Sequence, residues 1–340
     1  MNITEYQQIA TVQYCFPDNN SSCRKEVQTG TGNIFLFTLL SCISVCTVCL
    51  NLLVIISISH FKQLHSPTNL LVLSLAVADL LVGLIVMPVK IMELIDNCWY
   101  FGEIACTIVL VINSLSLSTS LCSMVFIAVD RYIAVNDPLI YSTKITVCKT
   151  SLIIILGWSF SLLYVIIYLH FNDSLLQSQI GSRCLGECIL FVIHLWVIID
   201  LVVFFIAPCC TILVLYSFIF NVARFQAKAV RAVLNSTSSK HGDNVSNSSE
   251  IKAAKTLGIV VCVYLACWIP FYLSSLSSDN ISTLSLVWTM LGWLAYMNSS
   301  VNPLIYAIFY PWFKASTKYI VTCKIFESSS SRYNLFREHF

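Results

Sequence analysis

The chain has 340 residues, of which 57% are hydrophobic and 11% are charged. Because an ordinary soluble domain carries about 25% charged residues, this composition excludes a soluble enzyme. The formal net charge of only +2 argues against nucleic acid as the main partner.

Seven apolar runs follow one another along the chain, at about 34–59, 68–92, 104–129, 147–170, 189–222, 256–277 and 283–309. Each run is longer than the roughly 18 apolar residues that indicate a membrane-spanning helix. The longest polar stretch between them, about 224–255, is too short for a separate soluble domain. The sequence therefore predicts an all-α membrane protein with a seven-helix transmembrane bundle over 34–309.

The basic residues predict the orientation of this bundle, because loops on the cytoplasmic side are enriched in Lys and Arg. If the N-terminus is outside, 15 of the 19 basic residues lie on the cytoplasmic side, and four lie outside: Arg24, Lys25, Lys90 and Arg183. We therefore expect a multi-pass protein of the plasma membrane. Residues 1–33 would form an extracellular tail, and residues 310–340 a cytoplasmic helix and tail.

Glycosylation sequons begin at Asn2, Asn19 and Asn20 in the predicted outer tail, which suits N-linked glycosylation there. The same pattern occurs at Asn235 and Asn247 on the predicted inner side. The sequons therefore agree with the orientation without establishing it.

The 16 cysteines fall into three groups by location. Nine lie within the apolar runs, where a small packing residue is expected. Cys323 follows a short segment that begins with aromatic residues after the seventh run, which predicts an amphipathic helix at the membrane surface with a palmitoylated cysteine at its end. The other six face the oxidising side, where disulfides persist, and allow 15 pairings: Cys15, Cys23, Cys98, Cys106, Cys184 and Cys188.

Polar residues inside the runs mark candidate functional positions, because an Asp at mid-membrane costs roughly 2.5–3.5 kcal/mol. Two acidic residues lie deep in the runs, Asp79 in the second and Asp200 in the fifth. Prolines in four runs permit kinks at Pro88, Pro208, Pro270 and Pro303. This pattern indicates a bundle that changes shape around a central cavity.

Motifs in all seven runs resemble the rhodopsin-like G-protein-coupled receptors in order and spacing. They are Asn51-Leu-Leu-Val, Leu75-Ala-Val-Ala-Asp79, Asp130-Arg131-Tyr132, Trp158, Pro208, Cys267-Trp268-Ile-Pro270 and Asn302-Pro303-Leu-Ile-Tyr306. Within that superfamily, the stretch 298–313 is similar to the diagnostic segment of the trace amine-associated receptors. Cys98-Trp-Tyr-Phe-Gly102 and Asp137-Pro-Leu-Ile-Tyr141 resemble that family too.

The resemblance implies two disulfides, Cys106–Cys188 and Cys23–Cys184. The second would hold the N-terminal tail over the entrance to the cavity. Cys15 and Cys98 then remain, either as a third pair or as free thiols.

The resemblance also implies a cytoplasmic gate at the end of the third run. Arg131, flanked by Tyr132, would be held by Asp130 and Glu250 in an inactive arrangement and released towards a G protein. Ordinary membrane-surface snorkelling of Arg131 is the alternative. In the active state, Tyr216 and Tyr306 would swing together, and Asn302 is the remaining residue of the implied gate.

Four residues match the family's sodium pocket, so the resemblance implies an allosteric sodium ion there. No other cofactor is expected. Oxygen ligands of this kind suit a small hard cation. A protonated, uncharged Asp79 is the alternative. The four residues are Asp79, Ser120, Asn298 and Ser299.

The ligand site departs from that of amine receptors at one position. These receptors carry an Asp 18 residues before the Arg of the Asp-Arg-Tyr motif, and this chain has Asn113 there. Asp200 lies at cavity height instead, with no Lys or Arg in 189–206, so a ligand ammonium group is its expected counter-charge. The arrangement resembles a fish-type branch of the family, and a protonated structural Asp200 is the alternative. Four aromatic residues are expected to wall the cavity: Trp268, Phe271, Tyr272 and Tyr296.

These expectations describe an olfactory-type chemosensory receptor for amines. The resemblance implies that it signals through a stimulatory heterotrimeric G protein and cyclic AMP, with arrestin and membrane lipids as its other partners. A serotonin-like biogenic-amine receptor is disfavoured by Asn113. A seven-span transporter, a protein of a different class, is disfavoured because the sequence has no inverted repeat. The role of Lys90 stays open among outward snorkelling, pairing with Glu93 and contact with a ligand anion.

Overall fold

Helices make up most of the protein in the computed structural model, which describes residues 13–25, 31–177, 184–188, 194–236, 244–277, 286–327 and 330–335. In the described chain α1 is Thr31–His60, α3 is Gly102–Asn136, α4 is Pro138–Lys144 and α5 is Val147–Gln177. Helix α7 is Asn244–Ser277, α8 is Leu286–Phe309 and α9 is Pro311–Val321. Short 3₁₀ turns lie at Lys62–Leu64, Lys324–Phe326 and Ser330–Arg332.

Helices α2 and α6 each contain a π-helical segment. Helix α2 comprises Pro67–Leu81, the π segment Val82–Val86 and Met87–Asp96. Helix α6 comprises His194–Asp200, the π segment Leu201–Ile206 and Ala207–Ser236.

Within the described residues, five helices are long and apolar enough to cross a membrane: Gly32–His60, Pro67–Ile95, Gly102–Asn136, Val147–Phe171 and Leu195–Val222. A shorter apolar stretch, Gly258–Ser274, lies within α7. Large apolar side chains such as Ile155 and Leu163 point outwards, whereas the polar Asn51 and Asp79 are buried. Apolar outside and polar inside is the distribution expected of a helix bundle in lipid.

Prolines and a polar cap define several helix starts. Ser66 precedes Pro67, and its Oγ accepts a hydrogen bond from the Asn69 backbone N–H at 3.3 Å. Helices α4 and α9 likewise begin at Pro138 and Pro311. Proline suits this first position because its missing N–H would have no partner within the helix.

The two π segments expose carbonyl groups that neighbouring helices bind. Ser44 of α1 donates to the Gly83 carbonyl at 2.8 Å, and Tyr264 of α7 donates to the Phe204 carbonyl at 3.3 Å. A Cβ atom at Gly83 would lie 2.9 Å from the Thr47 side chain, so glycine permits the close approach of α1 and α2. Each irregular turn is therefore joined to the bundle by a side-chain hydrogen bond, as irregular backbone in a membrane requires.

Three disulfides join the N-terminal segment, the connection from α2 into the start of α3, and segment 184–188 at one end of the bundle, here called the disulfide end. The bonds are Cys15–Cys98, Cys23–Cys184 and Cys106–Cys188. The last two are the pairs that the resemblance implies, and the first joins the two cysteines left over.

Backbone hydrogen bonds reinforce these staples. The Cys23 N–H donates to the Leu185 carbonyl at 2.9 Å, and the Leu185 N–H donates to the Ser21 carbonyl at 2.8 Å. The Trp99 N–H donates to the Gly186 carbonyl at 2.9 Å. Residues 13–25 are therefore fixed in place by both covalent and hydrogen bonds.

The opposite end, here called the Arg131 end, carries α9, the short helix expected after the seventh run. One face of α9 buries Trp312, Phe313 and Tyr319, while Lys314 and Val321 are exposed. The Tyr319 ring packs edge-on against Phe61, with centroids 5.7 Å apart. Helix α9 thus lies against the end of α1.

Candidate functional site

The Asp200 carboxylate lies where α6 changes from α-helical to π-helical geometry. The Tyr164 hydroxyl of α5 donates a hydrogen bond to its Oδ1 atom. Among the residues that the structure describes, no Lys or Arg forms an ion pair with Asp200. The carboxylate is half-buried with a neutral phenol as its partner, so a positive charge is the group that it would stabilise most.

An aromatic cluster from α6 and α7 contains three of the four predicted wall residues. The Trp268 ring lies 5.9 Å from both Phe271 and Tyr272, measured between centroids. The Tyr272 ring in turn lies 4.8 Å from Phe205 of α6. The rings are buried against one another, and their faces are suited to a cation.

A second polar group brings α2, α3 and α8 together. Asn113 of α3 and Tyr296 of α8 lie close together, and the Tyr296 ring packs edge-on against Trp293 at 5.9 Å. Lys90 binds Glu93, with Nζ and Oε2 2.6 Å apart, which settles the question of the partner of Lys90. The predicted ligand residues therefore separate into two groups, Asp200 with the α7 aromatics and Asn113 with Tyr296.

The buried Asp79 is surrounded by hydrogen-bonding side chains. Ser120 Oγ donates to Oδ1 at 3.2 Å and Asn302 Nδ2 donates to Oδ2 at 2.8 Å, while Ser299 lies close to the carboxylate. Within the described chain, Asn298 Oδ1 is buried without a hydrogen-bond partner. The structure thus places hydroxyl and amide side chains around the Asp79 carboxylate, and carboxylate and hydroxyl oxygens fit a small hard cation.

Arg131 is held on the α2 and α4 side of the bundle. Its Nη2 atom lies 2.6 Å from Asp130 Oδ2 and donates to the Thr68 hydroxyl, which itself donates to Asp130 Oδ2 at 2.7 Å. The Tyr141 hydroxyl donates to Asp130 Oδ1 at 3.0 Å. Partial burial raises the pKa of the Tyr141 phenol above its usual value, so the hydroxyl remains a donor. The side chain of Glu250, the other predicted partner, lies outside the described residues.

Three of the remaining gate residues have described ring packing or burial. Tyr132 packs on Phe218 of α6, with ring centroids 6.1 Å apart, and Tyr306 packs edge-on against Tyr310 at 5.8 Å. The Tyr216 hydroxyl is buried and has no hydrogen-bond partner in the part of the chain that the structure describes. A buried donor without a partner is costly, so Tyr216 would gain from any rearrangement that supplies one.

The predicted modification positions are accessible where the structure describes them. Asn19 and Asn20 are exposed at the disulfide end, and Cys323 is exposed after α9 with a left-handed backbone (φ 57°). Asn2 lies outside the described residues.

Sequence reasoning missed three polar partners that the structure brings into these sites: Tyr164 beside Asp200, and Thr68 and Tyr141 beside Asp130. Tyr141 lies within a quoted motif, and Tyr164 is a hydroxyl inside an apolar run, a signal that could have been followed. Thr68 lies at the start of α2 and gives no such signal, because threonine is common at helix starts.

Comparison with known proteins places these features in a family. Residues 50–306 match the 7 transmembrane receptor family (rhodopsin family). The chain is 41% identical over 329 residues to trace amine-associated receptor 13c of Danio rerio, covering 95% of this chain and 96% of that protein. It is 40% identical over 338 residues to trace amine-associated receptor 6 of Homo sapiens, covering 97% and 98%.

A further relative, trace amine-associated receptor 8b of Mus musculus, is 40% identical over 339 residues, covering 96% of this chain and 97% of that protein. The resemblance inferred from the motifs is thus confirmed over nearly the whole length of the chain. Proteins of this family are signalling receptors, not enzymes. The chain belongs to the rhodopsin family of seven-transmembrane receptors and, within it, to the trace amine-associated receptors.

Proposed function

We propose that this protein is an olfactory-type receptor for amines, and that Asp200 pairs with the ammonium group of the ligand. The observation that carries the proposal is the half-buried Asp200 carboxylate, which has a neutral phenol and no described cation as its partner. Pairing with a ligand cation would offset the cost of desolvating the carboxylate. The names of the relatives, all trace amine-associated receptors, support the same ligand class.

The remaining predicted ligand residues would shape the rest of the site. Trp268, Phe271 and Tyr272 supply aromatic faces beside α6, which suit an ammonium group and its apolar substituents. Asn113 and Tyr296 would meet the other end of the ligand with neutral hydrogen bonds. Because Lys90 is already paired with Glu93, it is not assigned to a ligand anion.

The proposed setting is the plasma membrane, with seven spans and the disulfide end outside. Support comes from the excess of Lys and Arg on the predicted inner side and from the disulfides, which persist in oxidising surroundings. Residues 1–33 would form the outer tail, glycosylated at Asn2, Asn19 and Asn20. Residues 310–340 would form the inner helix and tail, with Cys323 palmitoylated at the lipid surface.

A sodium ion would bind among Asp79, Ser120, Asn298 and Ser299. The unpartnered buried Asn298 Oδ1 atom supports this assignment, because it offers an oxygen ligand that no described side chain uses. When bound, the ion would favour whichever state of the bundle holds these oxygens closest together.

Signalling would proceed through release of Arg131 towards a stimulatory G protein, with arrestin as a later partner. The contacts among Arg131, Asp130, Thr68 and Tyr141 would hold Arg131 in the inactive arrangement. Opening would break them and allow Tyr216, Asn302 and Tyr306 to rearrange.

Glu250→Ala is expected to raise ligand-free signalling, because removing one proposed partner of Arg131 lowers the cost of opening. Ligand-free cyclic AMP output would be compared with wild type at equal receptor density on the cell surface. Lys252→Ala, which changes a charge in the same part of α7, is the control. An unchanged baseline in the Glu250 variant would exclude its role in the gate.

Tyr264→Phe is also expected to raise ligand-free signalling. The substitution keeps the ring, which lies 5.9 Å from Trp268, and removes the buried hydrogen bond to the Phe204 carbonyl that joins α6 and α7. Losing such a bond costs about 0.5–1.5 kcal/mol, a two- to tenfold change in the ratio of closed to open receptors. A baseline equal to that of wild type would show that the bond does not distinguish the two states.

The proposed function is tested with transfected cells exposed to a panel of mono- and diamines, with cyclic AMP as the output. We expect a concentration-dependent rise that mock-transfected cells lack. Responses confined to serotonin-like aromatic amines would instead favour a biogenic-amine receptor. Amine uptake without any G-protein signal would support a transporter.

A further inference from the structure

The environment of Asp200 is asymmetric. The Tyr164 hydroxyl binds its Oδ1 atom, and among the described residues it is the side chain that hydrogen-bonds this carboxylate. An ionised carboxylate offers about four lone-pair positions on its two oxygens. One phenol therefore orients the group and leaves Oδ2 for a second donor.

The Tyr164 ring is itself fixed by packing on two sides. It lies edge-on to Phe204 at 4.5 Å and stacks on Tyr168 at 6.3 Å, measured between centroids. Tyr168 in turn packs against Trp196 of α6 at 5.5 Å. The hydroxyl that meets Asp200 thus comes from a ring with little freedom to move, as a positioning group requires.

The backbone geometry beside Asp200 gives a fixed hydrogen-bond partner a role in orienting the carboxylate. The π segment Leu201–Ile206 begins at the next residue, and a π turn changes the direction in which the preceding side chain projects. A carboxylate with two rotatable side-chain bonds would sample several directions there. A hydrogen bond to a charged group selects one of them, because it is stronger than a bond between neutral groups.

We propose that Tyr164 is the positioning residue of the amine site: its hydroxyl holds the Asp200 carboxylate in the orientation that receives the ligand's ammonium group. The inference rests on the proposed function, since it assigns to Asp200 the role of counter-ion. Tyr164 acts through Asp200 and does not itself carry the charge that binds the amine.

The test is a double-mutant cycle in the full-length receptor. Tyr164→Phe, Asp200→Asn and the double variant are compared with wild type for potency towards a series of primary n-alkylamines. Surface density and maximal output are measured for each variant. Tyr168→Phe is the matched control, because it removes a hydroxyl from the stacked neighbouring ring while Tyr164 keeps its bond to Asp200.

The expected result is a potency loss of about tenfold in Tyr164→Phe, with surface density and maximal output unchanged. Tyr168→Phe should stay within about twofold of wild type. In the Asp200→Asn background, Tyr164→Phe should cause no further loss, because a group that acts through Asp200 has nothing left to position. A purely structural role would lower surface density or maximal output in both backgrounds.

A second variant keeps the test decisive if Tyr164→Phe fails to reach the surface. Asp200→Glu retains the charge but moves the carboxylate by one methylene group relative to the Tyr164 hydroxyl. If orientation matters, its potency should also fall by about tenfold; if charge alone matters, potency should match wild type.

Different outcomes overturn different parts of the account. Unchanged potency in Tyr164→Phe, alongside a large loss in Asp200→Asn, would refute the positioning role and leave the proposed function intact. Fully additive losses in the double variant would also refute it. Full potency in Asp200→Asn, or a wild-type receptor silent to the whole series, would overturn the proposed function and this inference with it.

Discussion

Asp200→Asn is expected to lower amine potency by at least about thirtyfold while leaving the receptor folded and on the cell surface. Asparagine has nearly the shape of aspartate and can still accept a hydrogen bond from Tyr164, so the change removes little besides the charge. Losing one partner of a desolvated charge pair typically costs 2–5 kcal/mol, and each 1.4 kcal/mol is a tenfold change in affinity. Concentration-response curves at matched surface density measure the effect.

Asn113→Asp is the companion variant, because it adds a second carboxylate to the ligand site, on α3 and separate from Asp200 on α6. Asn113 and Tyr296 lie near Lys90, but Lys90 is already paired with Glu93 at 2.6 Å, so the new charge should remain available to a ligand. The variant should gain response to diamines relative to monoamines of equal length. If Asp200→Asn keeps full amine potency, the ammonium group is not held at Asp200, whatever Asn113→Asp does.

Cys188→Ser is expected to abolish amine-stimulated signalling by receptors on the cell surface. The Cys106–Cys188 bond fixes segment 184–188 to the start of α3 across a sequence separation of 82 residues. Losing a native disulfide commonly costs 2–5 kcal/mol, a large fraction of the stability of most proteins. Receptor density on intact cells, measured with a surface label, and amine-stimulated output report the loss.

Cys23→Ser should have a smaller effect on folding and a distinct effect on ligand response. Cys15–Cys98 and the backbone hydrogen bonds to Leu185 would still hold the N-terminal segment, so the segment would loosen without detaching. The exposed free thiol Cys46 supplies the control, since Cys46→Ser breaks no disulfide. Normal surface density and responses in both disulfide variants would contradict the assigned roles.

The positions of the helices could be predicted from the sequence because a helix that crosses lipid needs a long apolar run. The predicted first, third and fourth runs lie within α1, α3 and α5. The sixth run predicted a helix over 256–277, whereas α7 begins earlier, at Asn244. Its first turns are polar and so carry no hydrophobic signal.

The direction in which the Asp200 side chain projects from α6 could not be predicted in the same way. Counting back from Pro208 assumes 3.6 residues per turn, but the π segment Leu201–Ile206 lies between the two residues. A widened turn changes the direction of every side chain beyond it, and apolar residues such as Val202 and Val203 do not reveal it. The contact between Asp200 and Tyr164 is therefore a finding of the structure.

The contacts of the buried carboxylates Asp79 and Asp130 could also be predicted only in part. Asp79 stands out in the sequence because a carboxylate in an apolar run needs partners, and the family resemblance predicts Ser120 and Ser299 as neighbours. The hydrogen bonds of Thr68 and Tyr141 to Asp130 join three separate elements, α2, α3 and α4. Such contacts depend on how the helices pack, which periodicity within any one helix does not specify.

The most direct test of ammonium recognition at Asp200 compares each alkylamine with the alcohol of the same carbon skeleton on the wild-type receptor. The two ligands share shape and apolar area but differ in the positive charge that the Asp200 carboxylate is proposed to bind. The account predicts a cyclic AMP response to the amine and at least about thirtyfold weaker potency for the alcohol. Equal potency of the amine and its alcohol would contradict it.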